Sequence, residues 1–276
     1  MLFRCENDQP LLRAENLEKR YKRADALDSK EEVAALSEVS FSIFPRTTLA
    51  LVGESGSGKS TLALCLACLE RPTSGNIWFG EREVTALNEK ELRAIRPQIQ
   101  LVFQDPASSL NPGWTALEIV SEPLLVQQRL GKQARRAKAH ALLEQVGIPA
   151  EKASKRPGIF SGGQRQRLAI ARALALEPKV LILDEALSAL DCSVQAQIVN
   201  LLLELQTSLG LTYLFISHDF AMAAHLSDQI AVMHQGRIVE TGSVETVVHA
   251  PKHTVTQRLI TAAMGSPALP YPPKVA

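Results

Sequence analysis

A glycine-rich segment at positions 53–61 has the residue types and spacing needed to bind phosphate. An apolar run precedes it and a helix-like apolar run follows it. Glycines let the backbone turn sharply, so that successive amide N–H groups and the positive end of the following helix face a phosphate. Lys59 adds a full positive charge, and the hydroxyl of Ser60 can bind a Mg²⁺ ion that arrives with the phosphates. The segment matches a P-loop, and a merely flexible turn is the less favoured alternative. Its members are Gly53, Glu54, Ser55, Gly56, Ser57, Gly58, Lys59, Ser60 and Thr61.

Two carboxylates follow a second apolar run, residues 180–183. If this run is a strand beside the P-loop, Asp184 can hold Mg²⁺ through water, and Glu185 can polarise an attacking water molecule. Apolar strands that end in acidic residues are common, so this interpretation depends on the presence of the P-loop. Together the two segments predict a site for a nucleoside triphosphate.

A second turn of small residues opens another helix-like stretch, at Ser161-Gly162-Gly163-Gln164. Ser161 is a predicted N-cap of that helix. The amides of the first helical turn form a second candidate anion site. A flexible Gly-Gly turn is the alternative, but close approach of a phosphate better explains small residues before a strong helix former.

Alternating strand and helix patterns must position these groups, and they predict an α/β core. Short apolar runs predict strands buried on both faces, whose ends form the ligand-binding edge of a parallel sheet. These runs are residues 49–52, 180–184 and 213–217. Residues 11–21 and 36–44 predict an antiparallel pair, joined by a charged loop around residues 25–32.

Helical spacing predominates from about residue 105 to 176, which predicts an inserted helical subdomain. A further helix is predicted at residues 194–205, with Ile198, Leu201, Leu202 and Leu205 on one buried face. Prolines at positions 267, 270, 272 and 273 predict an extended or disordered tail over residues 267–276.

Composition excludes several classes of function. Thirty Lys and Arg residues balance 29 Asp and Glu residues, so the formal net charge is +1. This charge gives no support to a nucleic-acid partner. No run of 18 apolar residues could span a bilayer, so we expect membrane contact only through partners. The polar N-terminus MLFRCENDQP does not match an export signal, which makes the cytoplasm the expected location.

The four cysteines are too few and too scattered to predict a disulfide framework. Cys65 and Cys68 form a C-x-x-C pair, which could indicate metal or redox chemistry. We interpret both as packing residues inside the helix after the P-loop, because no second Cys/His pair completes a zinc set.

A basic run at residues 129–138 is interpreted as a solvated helix face, with docking to a permease or to lipid headgroups as the alternative.

In combination, these motifs resemble the ATPase subunits of ABC transporters from Tyr21 to about residue 260. The resemblance rests on the P-loop, SGGQ and the strand ending in Asp184-Glu185, with Gln104 in VFQDP, Asp191 closing SALD and His218 in FISHD. It implies an α/β fold with a P-loop NTPase core and a mainly parallel sheet. It also implies an N-terminal antiparallel β subdomain and the helical subdomain at about 105–176, inserted in an ABC ATPase domain of residues 1–266.

The resemblance implies ATP and Mg²⁺ as cofactors and assigns roles to the candidate residues. Tyr21 would stack on adenine, although packing on a sheet edge is its alternative role. Ser60, Asp184 and Gln104 would serve Mg²⁺, directly or through water. Glu185 would be the general base or water orienter, and His218 would contact the γ-phosphate. Ser161, Gly162, Gly163 and Gln164 would reach ATP bound by a partner subunit in a head-to-tail dimer, while Asp191 would couple the two sites.

Several segments resemble the second ATPase subunit of the peptide and nickel importer branch, notably VFQDPASSLNP, FSGGQRQR and the stretch from GRIVETG to QRLI. This implies uptake of peptides, nickel or metal-metallophore complexes. Ala186-Leu187, where most relatives have Pro-Thr, resembles nickel or metallophore importers more closely. The implied partners are a second ATPase subunit in a heterodimer, two permease subunits and an extracytoplasmic solute-binding protein, at the cytoplasmic face of the inner membrane.

Three alternatives to an importer remain open from the sequence. An exporter ATPase is the nearest, although exporters often fuse this domain to membrane helices. A non-transport ABC ATPase acting on DNA or ribosomes would usually show paired domains or a coiled-coil insertion. A regulator without turnover is disfavoured by the presence of both Glu185 and His218.

Overall fold

The computed structural model describes residues 9–22, 32–105, 109–128 and 130–264. Most of the predicted charged loop and all of the predicted proline-rich tail lie outside these residues. Contacts within the chain group it into two units, one formed by residues 1–93 and 212–276 and the other by residues 94–211. The predicted domain boundaries therefore stay predictions, and each unit is described by itself.

The elements up to the middle of the chain are β1 (Leu12–Lys22), β2 (Glu32–Ile43), β3 (Thr48–Val52), α1 (Lys59–Leu66), β4 (Ser74–Phe79), β5 (Arg82–Glu83), α2 (Glu89–Ile95), β6 (Ile99–Val102), α3 (Ala116–Pro123), α4 (Lys132–Gln145) and α5 (Gly162–Leu174). Those that follow are β7 (Val180–Asp184), α6 (Cys192–Leu209), β8 (Thr212–Ser217), α7 (Phe220–Leu226), β9 (Gln229–His234), β10 (Arg237–Ser243), α8 (Val244–His249) and α9 (Thr254–Met264). Among the described residues, no helix is both long and apolar enough to cross a membrane.

The first unit contains an antiparallel sheet with strand order β2-β1-β4-β5. The antiparallel pairing of β1 with β2 confirms the predicted antiparallel pair near the N-terminus. β2 begins earlier than predicted, however, because Glu32, a residue of the predicted loop, pairs with Lys22 of β1. This extension could not be read from hydrophobicity, because the first residues of β2 are solvent-exposed.

The same unit contains a second group of strands around β3. β3 pairs in parallel with β8 on one side and with β9 on the other, and β10 runs antiparallel to β9. Every residue of β3 and of β8 is buried. A strand covered on both faces has no polar alternation, so these apolar runs are correctly predicted as buried parallel strands.

The second unit contains the parallel pair β6 and β7, with Val102 opposite Leu183. No strand occurs between residues 105 and 176 in the part that the structure describes. α3 begins with a capping box between Thr115 and Glu118, and a π-helical turn, Leu124–Gln128, follows it. α6 buries the four predicted residues, which confirms its amphipathic assignment.

The two cysteines of the C-x-x-C pair differ in position. α1 ends at Leu66, so Cys65 lies in the helix, whereas Cys68 lies beyond it with a φ of 57°. The prediction that both lie inside the helix is therefore wrong for Cys68, because the helix ends in a turn in which the Cys68 amide donates to the Cys65 carbonyl. Both side chains are buried, and burial raises the pKa of the Cys65 thiol to about 12.

Candidate functional site

The P-loop of the first unit has a backbone that requires glycine at two positions. Gly58 precedes α1 with a φ of 105°, which L side chains rarely adopt. A Cβ atom there would lie 2.3 Å from the carbonyl oxygen of Ala35, and one at Gly53 would lie 2.2 Å from that of Met233. The glycines are therefore needed where the loop presses against neighbouring backbone.

The N-terminus of α1 is the second feature of this loop that suits a phosphate. Among the described residues, no side chain caps it. The first amides of a helix have no intrahelical acceptor, and here they form a donor set for an anion. The side chain of Lys59 is only 4% exposed, and its Nζ donates to the carbonyl oxygens of Gly53 and Glu54 at 2.9 Å each. The backbone of the P-loop thus holds the ammonium group of Lys59 in place.

Ser57 supplies an independent indication of a ligand. Its side chain is 4% exposed, yet its Oγ has no hydrogen-bond partner in the part of the chain that the structure describes. Its backbone is fixed, since the Ser57 amide donates to Glu54 and its carbonyl accepts from Gly236. A buried hydroxyl without a partner is costly. A phosphate bound in this loop fits the donor set formed by the amides, Lys59 and Ser57.

Tyr21 and His218, both assigned to ATP by the resemblance, lie in the same unit as the P-loop. Tyr21 is near the end of β1 and 37% exposed, and its hydroxyl donates to Glu70 Oε2 at 2.7 Å. His218 is exposed and follows β8 directly, before Asp219, which caps α7 by accepting from the amide of Met222.

The second unit brings the other polar candidates to the ends of β6 and β7. Asp184 is the last residue of β7 and is buried, and Gln104 lies two residues beyond β6 in an exposed position. Because β6 and β7 run parallel, both residues lie at the same edge of this pair. That edge carries the predicted carboxylate and amide ligands.

Glu185 has a left-handed backbone, with a φ of 45°. This region is sparsely populated by residues other than glycine, and such strain is often found at functional sites. The turn is held by Ser188, whose amide and hydroxyl donate to the Glu185 carbonyl oxygen at 3.1 and 2.9 Å. The turn therefore changes the chain direction immediately after the strand, at the second carboxylate.

The segment Ser161–Gln164 begins α5 with a reciprocal cap. Ser161 Oγ accepts from the Gln164 amide, and Gln164 Oε1 accepts from the Ser161 amide, each at 3.3 Å. Lys152 Nζ donates to the same Gln164 oxygen at 3.1 Å. The predicted N-cap is confirmed, and the capping box adds a partner that the prediction did not include.

Glycine at position 163 has a packing reason. A Cβ atom there would lie 2.4 Å from Cγ1 of Val194 in α6, whereas one at Gly162 would lie 3.1 Å from Leu190. Asp191 caps α6, because its carboxylate accepts from the amide of Val194 at 3.0 Å. Neither role was predicted. The approach of α5 to α6 leaves no signal in local spacing, whereas Asp191 directly before a helix has the residue type and position of an N-cap.

The candidate residues therefore divide between the units. The first holds the P-loop, Tyr21 and His218, and the second holds Gln104, Asp184, Glu185, Asp191 and residues 161–164. The sequence did not indicate Glu70 or Lys152, whose contacts involve distant parts of the chain.

Comparison with known proteins agrees with this geometry. The ABC transporter family matches residues 36–188. The dipeptide transport ATP-binding protein DppF of Escherichia coli K12 is 45% identical over 255 residues, which cover 92% of this chain and 76% of that protein. The glutathione import ATP-binding protein GsiA of Shigella flexneri serotype 5b is 46% identical over 270 residues, covering 97% of this chain but only 43% of that protein.

Solved structures show the same fold. The ATP-binding cassette MJ0796, in a dimeric post-hydrolysis state bound to ADP and Pi, superposes with a TM-score of 0.76 and 32% identity, covering 84% of this chain and 98% of that one. The cbiO1 subunit of the cbiONQ transporter complex from Clostridium perfringens gives a TM-score of 0.76 at 29% identity, covering 94% and 97%.

Proposed function

Because this chain belongs to the ABC transporter family, we propose that its P-loop and the polar ends of its strands use ATP to drive uptake of peptides through partner permeases. The chain is an ATP-binding, ATP-hydrolysing subunit of an ABC importer. The observation that carries the nucleotide assignment is the P-loop. It combines a helix N-terminus that no side chain among the described residues caps with a buried lysine and a buried hydroxyl.

The P-loop residues bind the triphosphate in this proposal. The amides of residues 53–61 and the ammonium of Lys59 contact the phosphate oxygens, and the ring of Tyr21 stacks on adenine. Ser60, Asp184 and Gln104 hold Mg²⁺, directly or through water. Hydroxyl, carboxylate and amide oxygens are the hard ligands that this ion prefers, so the donor set fits.

Hydrolysis requires a group that orients or deprotonates water. Glu185 takes that role, and its left-handed turn directs the backbone away from the strand that ends at Asp184. His218 contacts the γ-phosphate and fixes the position of the attacking water. These assignments rest on the family resemblance and on the chemistry of each side chain.

Residues 161–164 serve ATP held by a second ATPase subunit, and Asp191 couples the two sites. The dimeric state of the MJ0796 cassette supports this arrangement. A different ATPase subunit, two permease subunits and an extracytoplasmic solute-binding protein complete the transporter. The chain then works at the cytoplasmic face of the inner membrane.

Peptides are the proposed cargo class. The relatives are named for dipeptide and glutathione import, and both compounds contain peptide-type bonds. Ala186-Leu187, which resembles nickel and metallophore importers, consists of two buried residues. The names of the relatives favour peptides over nickel or a metallophore as the cargo.

The assembled transporter in proteoliposomes tests the cargo class. We expect a dipeptide-loaded solute-binding protein to stimulate ATP hydrolysis and labelled dipeptide to accumulate. Stimulation by nickel or a nickel chelate, with none by any dipeptide, would contradict the peptide assignment and leave the ATPase assignment intact.

A further inference from the structure

We propose that Glu70 and Lys19 are positioning residues that fix the ring of Tyr21 for stacking on the nucleotide base. The inference rests on the proposed nucleotide site and deepens it, because it assigns residues outside the P-loop to recognition of the base. All three residues lie in the first unit.

Glu70 connects the other two side chains through its two oxygens. Its Oε2 accepts from the Tyr21 hydroxyl at 2.7 Å, and its Oε1 lies 2.8 Å from Lys19 Nζ. The same Nζ donates to the carbonyl oxygen of Arg71 at 2.8 Å. The tyrosine hydroxyl is therefore held by an acceptor that is itself fixed by a charge-assisted contact.

Lys19 also limits which face of the Tyr21 ring is accessible to the base. Its Nζ lies 5.1 Å from the centroid of the Tyr21 ring, within the range of a cation–π contact. A planar ring has two faces, and the ammonium covers one of them. The base therefore stacks on the opposite face.

The backbone links this cluster to the P-loop. α1 begins with Lys59, and the turn after it places Glu70, whose amide donates to the Leu64 carbonyl at 3.2 Å. The following residues bind β1, since the Thr73 amide donates to the Glu18 carbonyl at 2.7 Å. One short helix thus presents phosphate donors at its start and the anchor for Tyr21 just after its end.

The ionisation states suit this role at neutral pH. The hydrogen bond from Lys19 lowers the pKa of Glu70, so that its carboxylate stays charged. Partial burial, and then the Glu70 contact, raises the pKa of Tyr21, so that its hydroxyl stays a donor.

Binding titrations with the full-length chain test the proposal, using MgATP and inorganic tripolyphosphate as probes. Tripolyphosphate carries the phosphates but no base. We expect Tyr21→Ala to weaken ATP binding about tenfold or more, the size of a lost base–aromatic stack. We expect Glu70→Ala to weaken it about threefold to tenfold, the size of one lost hydrogen bond, and to leave tripolyphosphate binding unchanged.

Further variants separate a positioning role from general damage to the fold. Glu70→Gln keeps an oxygen that accepts from Tyr21, so we expect it to recover much of the ATP affinity. If Glu70 acts through the tyrosine hydroxyl, Glu70→Ala should cause a smaller loss of ATP affinity in a chain that already carries Tyr21→Phe than in the unchanged chain. Glu81→Ala, which removes an exposed carboxylate in the same unit, is the matched control and should leave both affinities unchanged.

The outcomes distinguish the inference from the site on which it rests. If Tyr21→Ala weakens ATP binding but Glu70→Ala does not, or if Glu70→Ala weakens tripolyphosphate equally, the positioning role is wrong and the nucleotide site stands. If Tyr21→Ala leaves ATP affinity unchanged, the placement of the base on Tyr21 is itself wrong.

Discussion

The helix N-termini of α1 and α5 both carry glycine and both are assigned to phosphate, yet their local structures differ. α1 has no capping side chain among the described residues, and Lys59 lies buried against the loop before it. α5 has a complete capping box, in which Ser161 and Gln164 satisfy each other. The glycines also differ, because Gly58 needs a positive φ whereas Gly163 needs space beside Val194.

The difference indicates separate roles for the two helix ends in binding nucleotide. An uncapped end can bind an anion without first losing an internal contact, so α1 is suited to hold the nucleotide in the isolated chain. The α5 end is already satisfied, and its hydroxyl must be shared or released when a phosphate approaches. Residues 161–164 therefore suit a contact made only when a second subunit presents its nucleotide.

The largest expected effect separates binding from turnover. Glu185→Gln should leave ATP binding at the α1 end intact and reduce steady-state hydrolysis in the assembled transporter by about 10³-fold, because it removes the group that activates water. Phosphate release and ATP titration measure the two properties. Glu204→Gln, an exposed change on α6, is the control, and turnover near that of the unchanged transporter in Glu185→Gln would refute the role of Glu185.

Lys59→Ala should weaken ATP binding by the isolated chain about 100-fold, because a charge-assisted contact to phosphate is lost. Ser161→Ala should leave that affinity unchanged, since the α5 end contributes only in the assembly. Isothermal titration of both variants, with Lys90→Ala as an exposed control, measures this contrast. Equal losses in Lys59→Ala and Ser161→Ala would remove the distinction between the two helix ends.

Gly163→Ala should destabilise the chain by about 1–3 kcal/mol, because its methyl group would overlap Val194. Gly162→Ala should cost less, since the nearest atom there is the end of a flexible leucine. Urea denaturation measures both. Adding Val194→Ala to Gly163→Ala should restore part of the lost free energy of unfolding. If the double variant is no more stable than Gly163→Ala, the overlap with Val194 is not the cause of the loss.

The smallest expected effect concerns the cap of α5. Ser161→Ala removes the acceptor for the Gln164 amide and should lower the free energy of unfolding by about 1 kcal/mol. Ser161→Asp retains an N-cap acceptor and should recover most of that stability in urea denaturation. If the Asp variant is as unstable as the Ala variant, the capping box is not what stabilises this end.

The sequence predicted much of the architecture because burial leaves a local signature. The continuous apolar runs of β3, β7 and β8 indicated strands covered on both faces, and Ser161 before a helix former indicated an N-cap. The P-loop was recognisable because its glycines, Lys59 and Ser60 lie within one short segment. The roles assigned to individual site residues stay predictions.

Other features depend on parts of the chain that are distant in sequence. β2 begins at Glu32 because it pairs with β1, although its first side chains are exposed. The need for glycine at position 163 comes from α6, and the anchor of Tyr21 comes from the turn after α1. Spacing within a segment carries no signal for such contacts.

A structure of the assembled transporter with Glu185→Gln and bound MgATP is the most direct test of the division between the two helix ends. We predict that each nucleotide at an α1 end lies within hydrogen-bonding distance, about 3 Å, of the SGGQ-type turn of the other ATPase subunit. A closed assembly in which residues 161–164 lie far from every bound nucleotide would contradict it.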